Sequence, residues 1–148
     1  MIKAYDVSER EDGLIGSLAG LWDWSVRTSH HFLSDDDICR LRPFVVAALR
    51  GGQSLRMAEG DGGGQLGFIG VCDGKIEMLF VSASHLGRGV GSALMRHAIS
   101  ELRATEIDVN EQNETAAAIY AHWGFRVIGR DETDGQGNAF QILHMKMG

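Results

Sequence analysis

The stretch from Met78 to Arg96 limits what this chain can fold into more than any other. It opens on Met78 to Val81, a short apolar run of the kind that makes a buried strand. It leads into Leu94, Met95, Ala98, Ile99 and Leu102, whose spacing predicts an amphipathic helix. Between the two stand Gly87, Gly89 and Gly91, interleaved with Arg88 and Val90 and flanked by Leu86 and Ser92. Glycines at alternate positions let backbone N–H groups come close to an anion. The first helical turn then adds unpaired N–H groups and the positive end of the helix dipole. The segment reads as a phosphate cradle. The competing reading is a tight strand–helix turn that needs glycine for its geometry alone.

A second strand–helix unit lies downstream. Ile107 to Asn110 predicts a strand, about Asn113 to His122 a helix, and Gly124 the C′ glycine that stops it. Asn113 and Tyr120 lie two helical turns apart on one face, near Ala116 and Ala117. An amide and a phenol over small residues suit a ligand channel. A structural Asn and a half-buried Tyr would leave the same trace.

Together these residues match a known pattern. Gly87-Arg88-Gly89-Val90-Gly91 after an apolar strand, then Asn113, Tyr120 and Gly124-Phe125, resembles the GNAT superfamily of acyl-CoA-dependent N-acyltransferases. Trp22, Ser29-His30-His31-Phe32-Leu33, Val109-Asn110-Glu111-Gln112-Asn113, Gly129-Arg130 and Leu143-His144-Met145 extend the likeness to small bacterial members, among them protein-lysine acetyltransferases. The resemblance covers nearly the whole chain. It departs at Leu86, where the family's phosphate loop usually opens with Arg or Gln. That departure implies weaker or re-routed phosphate contact, with Arg88 as the substitute.

The resemblance implies acetyl-CoA as co-substrate and a thioester lodged between splayed strands that carry Val81 and Asn110. It implies Leu79, Phe80 and Val81 as the strand edge that meets the pantetheine amides, and Leu86 through Ser92 as the pyrophosphate loop. Asn110, Asn113, Ala116 and Tyr120 would line the arm and the acyl end. The N-terminal helices would close over an amine acceptor, with Trp24, Arg27, His30, His31 and Phe32 shaping its site. Homodimers are common in such folds.

The chemistry can be argued from the residues. A lysine-like amine has a pKa of about 10.4, so something must take its proton near neutrality. A departing thiolate, with a thiol pKa of about 8.5, benefits from a donor, and Tyr120 is the obvious general acid. Backbone N–H near Val81 would polarise the carbonyl. The base is open between Glu77, His30 and His144. Strand alternation puts Glu77 on the face of Leu79 and Val81, and a charged sheet-edge residue is its plain alternative. His144 sits within the apolar last strand, where a structural imidazole is the usual finding. No His or Cys spacing resembles a zinc set, so no metal is expected.

At 148 residues the chain is expected to form one domain, residues 1–148. A net charge of −6 argues against nucleic-acid partners, whose phosphates call for Lys and Arg, and it tolerates amine-bearing ones. No apolar run approaches a membrane span and no export signal is visible, so no membrane partner and a cytoplasmic location are expected. Cys39 and Cys72 are expected to be reduced thiols acting as small hydrophobes.

Gly13 to Thr28 predicts a helix, and Ser34 caps a second that runs to Arg50, with Pro43 bending or restarting it. A loop over Glu59 to Gly64 and the dipeptide Asp73-Gly74 make hairpins, and Phe140 to Lys146 forms the last strand. The order β-α-α-β-β-β-α-β-α-β-β predicts an α/β or α+β sheet with helices on its faces. By resemblance the sheet is mixed and mostly antiparallel, with splayed central strands. A catalytically silent acyl-CoA sensor would use the same pocket. A dinucleotide fold is disfavoured because the Gly-x-Gly-x-x-Gly spacing fails at Ser92. The acceptor stays open among protein lysine, an N-terminal amine, a polyamine, an amino acid and an antibiotic.

Overall fold

The structure, a computed structural model, describes residues 3–6, 10–29, 32–51, 54–60, 64–82, 88–133 and 140–147. In chain order the elements are β1 (Lys3–Asp6), α1 (Asp12–Ser29), α2 (Asp35–Arg50), β2 (Ser54–Glu59), β3 (Gln65–Cys72), β4 (Lys75–Val81), α3 (Val90–Glu101), β5 (Glu106–Asn110), α4 (Glu114–His122), β6 (Phe125–Asp131) and β7 (Ile142–Met147). This is the predicted order. Among the described residues the strands form one 7-stranded sheet, ordered β1-β2-β3-β4-β5-β7-β6. Neighbours are antiparallel except β4 and β5, which run parallel.

Local chemistry explains most boundaries. Ser34 and Asp37 form a reciprocal capping box at the start of α2: Asp37 N–H donates to the Ser34 hydroxyl at 3.1 Å, and Ser34 N–H to Asp37 Oδ2 at 3.0 Å. The hydrogen bonds to Asp37, first from the Ser34 backbone and then from Arg40, hold its carboxyl below the usual range. Asp73 (φ 50°) and Gly74 (φ 80°) make the tight β3–β4 hairpin, and Gly124 (φ 103°) ends α4.

Helix α2 runs unbroken through Pro43, which neither restarts it nor leaves a buried carbonyl without a partner. Pro43 and Cys39, whose carbonyl loses its donor, both face solvent, so water can serve it. Strand β7 begins at Ile142, two residues later than predicted. Phe140 instead packs its ring edge-on against Phe32, 5.6 Å between centroids. Both cysteines are exposed free thiols rather than hydrophobic filling. Cys39 lies on the solvent face of α2, and Cys72 ends β3 at the turn.

Two apolar clusters cover the two faces of the sheet. One joins Val90, Leu94, Met95 and Ala98 of α3 to Ile69, Ile76, Ile107, Val109 and Phe125, with Leu79, Val81 and Tyr120 partly buried against it. The other joins Ile15, Leu18, Trp22 and Val26 of α1 and Ile38 and Leu49 of α2 to Met57, Phe68 and Met78. Leu18 and Trp22 lie on the buried stripe of α1, and Met57, Met78, Met95 and Met145 are buried in the core.

Helix α3 lies close to the sheet because Gly67 admits it. A Cβ there would stand 2.7 Å from the Phe80 carbonyl oxygen and 3.2 Å from Leu94 Cδ1 and Val90 Cγ1. Parallel pairing between β4 and β5 is confined to Lys75↔Glu106 and Ile76↔Ile107. Beyond Ile76 the strands diverge, which is the splay the resemblance implied.

Candidate active site

The divergence opens a cleft of about 250 Å³ between β4 and β5. Its walls come from both sides of the sheet. Leu79, Ile107, Val109 and Tyr120 belong to the α3 side, and Met78 and Phe80 to the α1–α2 side. Strand alternation then places Asp108 and Asn110, which flank Val109, on the α1–α2 side as well. The cleft therefore passes through the thickness of the sheet, and a ligand from each side could meet within it.

Strand β4 carries a bulge that sequence alternation misses. Gly70 pairs with Met78 and Val71 with Ile76, which leaves Glu77 as the extra residue. The bulge explains why Ile76 and Leu79, three apart, pack in one cluster, a spacing alternation forbids. Glu77 is exposed and lines the cleft.

Register also decides which backbone groups face the gap. Ser82 N–H donates to the Leu66 carbonyl at 2.8 Å, so 82 and 66 form a hydrogen-bonded pair of the antiparallel β3–β4 ladder. Such pairs alternate, and the polar backbone of Phe80 consequently points to β3. The N–H and C=O groups of Leu79 and Val81 point the other way, toward β5. Of the expected edge residues Leu79, Phe80 and Val81, only Leu79 and Val81 turn their backbone to the gap, while Phe80 contributes its side chain to the cleft wall.

Helix α3 begins beside this edge. Gly89, at φ 82°, is its left-handed N-cap, a conformation that favours glycine, and Val90 behind it is buried. A Cβ on Gly91 would sit in ordinary contact, 3.6 Å from Val81 Cγ2, so this glycine brings α3 close to the end of β4. Arg88 is exposed and Ser92 lies exposed in the first turn. Leu86 and Gly87 lie outside the described residues, as do His30 and His31.

Across the cleft stand Tyr120 and Asn113. Tyr120 packs edge-on against Phe125 at 6.5 Å, and its burial pushes the phenol pKa up to about 12. It is a hydrogen-bond donor throughout the neutral range. Asn113 is the N-cap of α4 rather than part of the helix: its Oδ1 accepts from Ala116 N–H at 3.3 Å. Ala116 and Ala117 are partly buried on the same cluster. The loop bearing Asn113 is fixed by Glu111, whose carboxylate takes both Nε and Nη2 of Arg130, at 3.0 and 2.8 Å.

Asp108 lines the cleft and was not singled out by the sequence. Its Oδ1 lies 2.7 Å from Nδ1 of His144, directly opposite on β7, and its Oδ2 lies 2.7 Å from the Lys75 ammonium. His144 Nε2 in turn meets Asp131 Oδ2 at 2.8 Å. Hydrogen bonds to Asp108 and then Asp131 raise the His144 pKa, and the bond to Asp108 raises that of Lys75. His144 is not among the residues lining the cleft and joins it only through Asp108. The polar residues of Glu106-Ile107-Asp108-Val109-Asn110, alternating with apolar ones, were the available signal for Asp108.

The expected acceptor residues are spread out. Trp24 is 56% exposed on α1 and outside the cleft lining. Arg27 is paired with Asp23 at 2.5 Å and with Asp35. Phe32 packs on Phe140. None of the three is among the residues lining the cleft.

A split parallel pair, an unpaired strand edge, a glycine-capped helix N-terminus and a protonated phenol are features that would suit an acyl-CoA ligand. Comparison with known proteins gives the family. Residues 47–148 match the acetyltransferase (GNAT) domain model. The peptidyl-lysine N-acetyltransferase YjaB of Escherichia coli K12 is 33% identical over 138 residues, covering 93% of this chain and 92% of that protein. The solution structure of apo YjaB superposes with a TM-score of 0.86 at 28% identity, covering 99% of this chain and 97% of the other. An N-acetyltransferase from Thermoplasma acidophilum, solved in complex with coenzyme A, shares the fold at a TM-score of 0.65 and 19% identity, over 99% of each chain. This chain belongs to the GNAT acetyltransferase family and is an enzyme of that type; the family uses acetyl-CoA.

Proposed function

We propose that this protein transfers the acetyl group of acetyl-CoA to a primary amine, with the side chain of peptidyl lysine as the favoured acceptor. The observation that carries the reading is the cleft itself, where a protonated phenol faces a diverging strand edge. The acceptor class is supported by the similarity to YjaB, a peptidyl-lysine N-acetyltransferase.

Bound acetyl-CoA supplies an activated thioester, and the chain's own residues do the rest. The Val81 N–H is aimed at the gap and can donate to the acyl oxygen as charge grows there. Tyr120, the general-acid candidate, donates a hydrogen bond to the departing sulfur as its charge builds. Asn113 holds the start of α4 so that Tyr120 faces β4. The N-terminus of α3, capped by Gly89, receives the pyrophosphate, with Arg88 at its mouth. The acceptor enters from the α1–α2 side, past Trp24 and Arg27. Glu77 on its bulge is the residue best placed to pass the amine's proton to water.

The test is thiol release from acetyl-CoA with a panel of lysine peptides, N-terminal amines, polyamines, amino acids and aminoglycosides. Lysine peptides should give the highest kcat/KM. Coenzyme binding without thiol release for any amine would instead make the protein an acyl-CoA sensor.

A further inference from the structure

The cleft stays open only if the two halves of the sheet hold a fixed angle, and little backbone pairing holds them. β4 and β5 share the two paired positions Lys75↔Glu106 and Ile76↔Ile107. At that vertex a row of side chains crosses β4, β5, β7 and β6: Lys75, Asp108, His144 and Asp131, linked at 2.7, 2.7 and 2.8 Å. The signs alternate along the row when the imidazole is protonated. Asp108 and His144 are direct partners in the register, and His144 also faces Gly129 across β6, 3.6 Å from the Cβ that residue lacks.

We propose that His144 is a positioning residue for acyl transfer: as an imidazolium it grips Asp108 and Asp131 at once, and through Asp108 it sets the cleft on the side where the amine enters. A protonated ring donates from both nitrogens, one to each carboxylate. A neutral ring keeps a single N–H, so its other nitrogen presents a lone pair to a carboxylate and one contact must open. If the lost contact is to Asp108, this cleft-lining carboxylate is left to Lys75 alone and can swing. The charged groups that bear on the ring are Asp108 from β5 and Asp131 from β6, with Lys75 of β4 behind Asp108. Glu77 and Glu106 act in turn on Lys75. One step along the same face, Lys146 of β7 stands between Glu106 and Arg126.

The role rests on the acetyl-transfer reading, but its test need not. In the full-length protein, ring resonances of His144 and backbone amide resonances of Leu79, Val81 and Asn110 are followed against pH by NMR. The amides should move with the same midpoint as the ring. Asp131→Asn removes one of the two groups that keep the ring charged, so both midpoints should fall together. In parallel, kcat/KM with a lysine peptide should lose about 10- to 100-fold in His144→Gln, the scale of a misplacement of about an ångström. The activity limb in Asp131→Asn should shift with the ring's midpoint. Cleft amides that stay flat while His144 titrates would overturn the role of His144. A wild type that releases no thiol with any amine would overturn the acetyl-transfer reading instead, and the amide titration would still decide on His144.

Discussion

Replacing Tyr120 with Phe tests the chemistry most directly. The phenol, pushed up to about 12, would face a thiol whose ordinary pKa is about 8.5. Handing over the proton outright would run uphill by about 3.5 units, or roughly 4.8 kcal/mol. In the proposed mechanism Tyr120 would therefore act chiefly by donating a hydrogen bond to the charge that builds on sulfur. A hydrogen bond to a charged group contributes about 1.5–3 kcal/mol, which predicts a loss of about 10- to 150-fold in kcat. Phe keeps the edge-on contact with Phe125 and the burial against the α3 cluster, so fold and coenzyme affinity should persist. The assay is steady-state thiol release with both substrates saturating, alongside calorimetric titration of coenzyme A. Because the phenol stays protonated between about pH 7 and 9, the ratio of wild-type to variant rates should be constant across that span. Full turnover in the Phe variant would refute the assignment, and so would a ratio that collapses within that span.

Three other outcomes follow from the packing and the charges. Gly67→Ala places a Cβ 2.7 Å from a backbone oxygen beneath α3, so we expect about 1–3 kcal/mol of destabilisation. The KM for acetyl-CoA should also rise more than kcat falls; an unchanged melting temperature and KM would show that α3 does not depend on this glycine. Ser34→Ala removes half of the α2 capping box and should cost about 0.5–2 kcal/mol in chemical denaturation, with coenzyme affinity untouched. His144 has a folded-state pKa raised above its ordinary value, so its stabilising effect is complete below about pH 6.5 and fades as pH rises through the raised pKa. The melting-temperature gap between wild type and His144→Gln should accordingly shrink with rising pH, and a gap that widens would contradict the doubly bonded imidazolium.

Features encoded by neighbouring residues were legible in the sequence. Ser34 with Asp37, Asp73-Gly74 and Gly124 each carry their own local geometry, and the apolar stripes of α1 and α3 follow helical periodicity. What depends on pairing between distant segments was not. The bulge at Glu77 exists only in the register with Gly70 and Val71, and the run from Glu77 to Val81 carries no glycine or proline to announce it. The outward turn of the Leu79 and Val81 amides, in place of Phe80, is a property of the same ladder. Asp108 meets His144 from 36 positions away, and Asp131 meets it from the far edge strand. Trp24 and Arg27 lie on α1 outside the cleft lining, and side-chain partners on α1 and α2, Asp23 and Asp35, hold the guanidinium of Arg27.

An enzyme that acylates lysine amines runs a hazard from its own chain. Here the basic residues, 14 in all, include three lysines: Lys3, Lys75 and Lys146. Lys75 lies at the vertex of the split sheet, at the opposite end of β4 from Val81, and its bond to Asp108 raises its pKa. An ammonium so held has no lone pair with which to attack an acyl donor, so the ion pair that braces the vertex also disfavours acylation of this lysine.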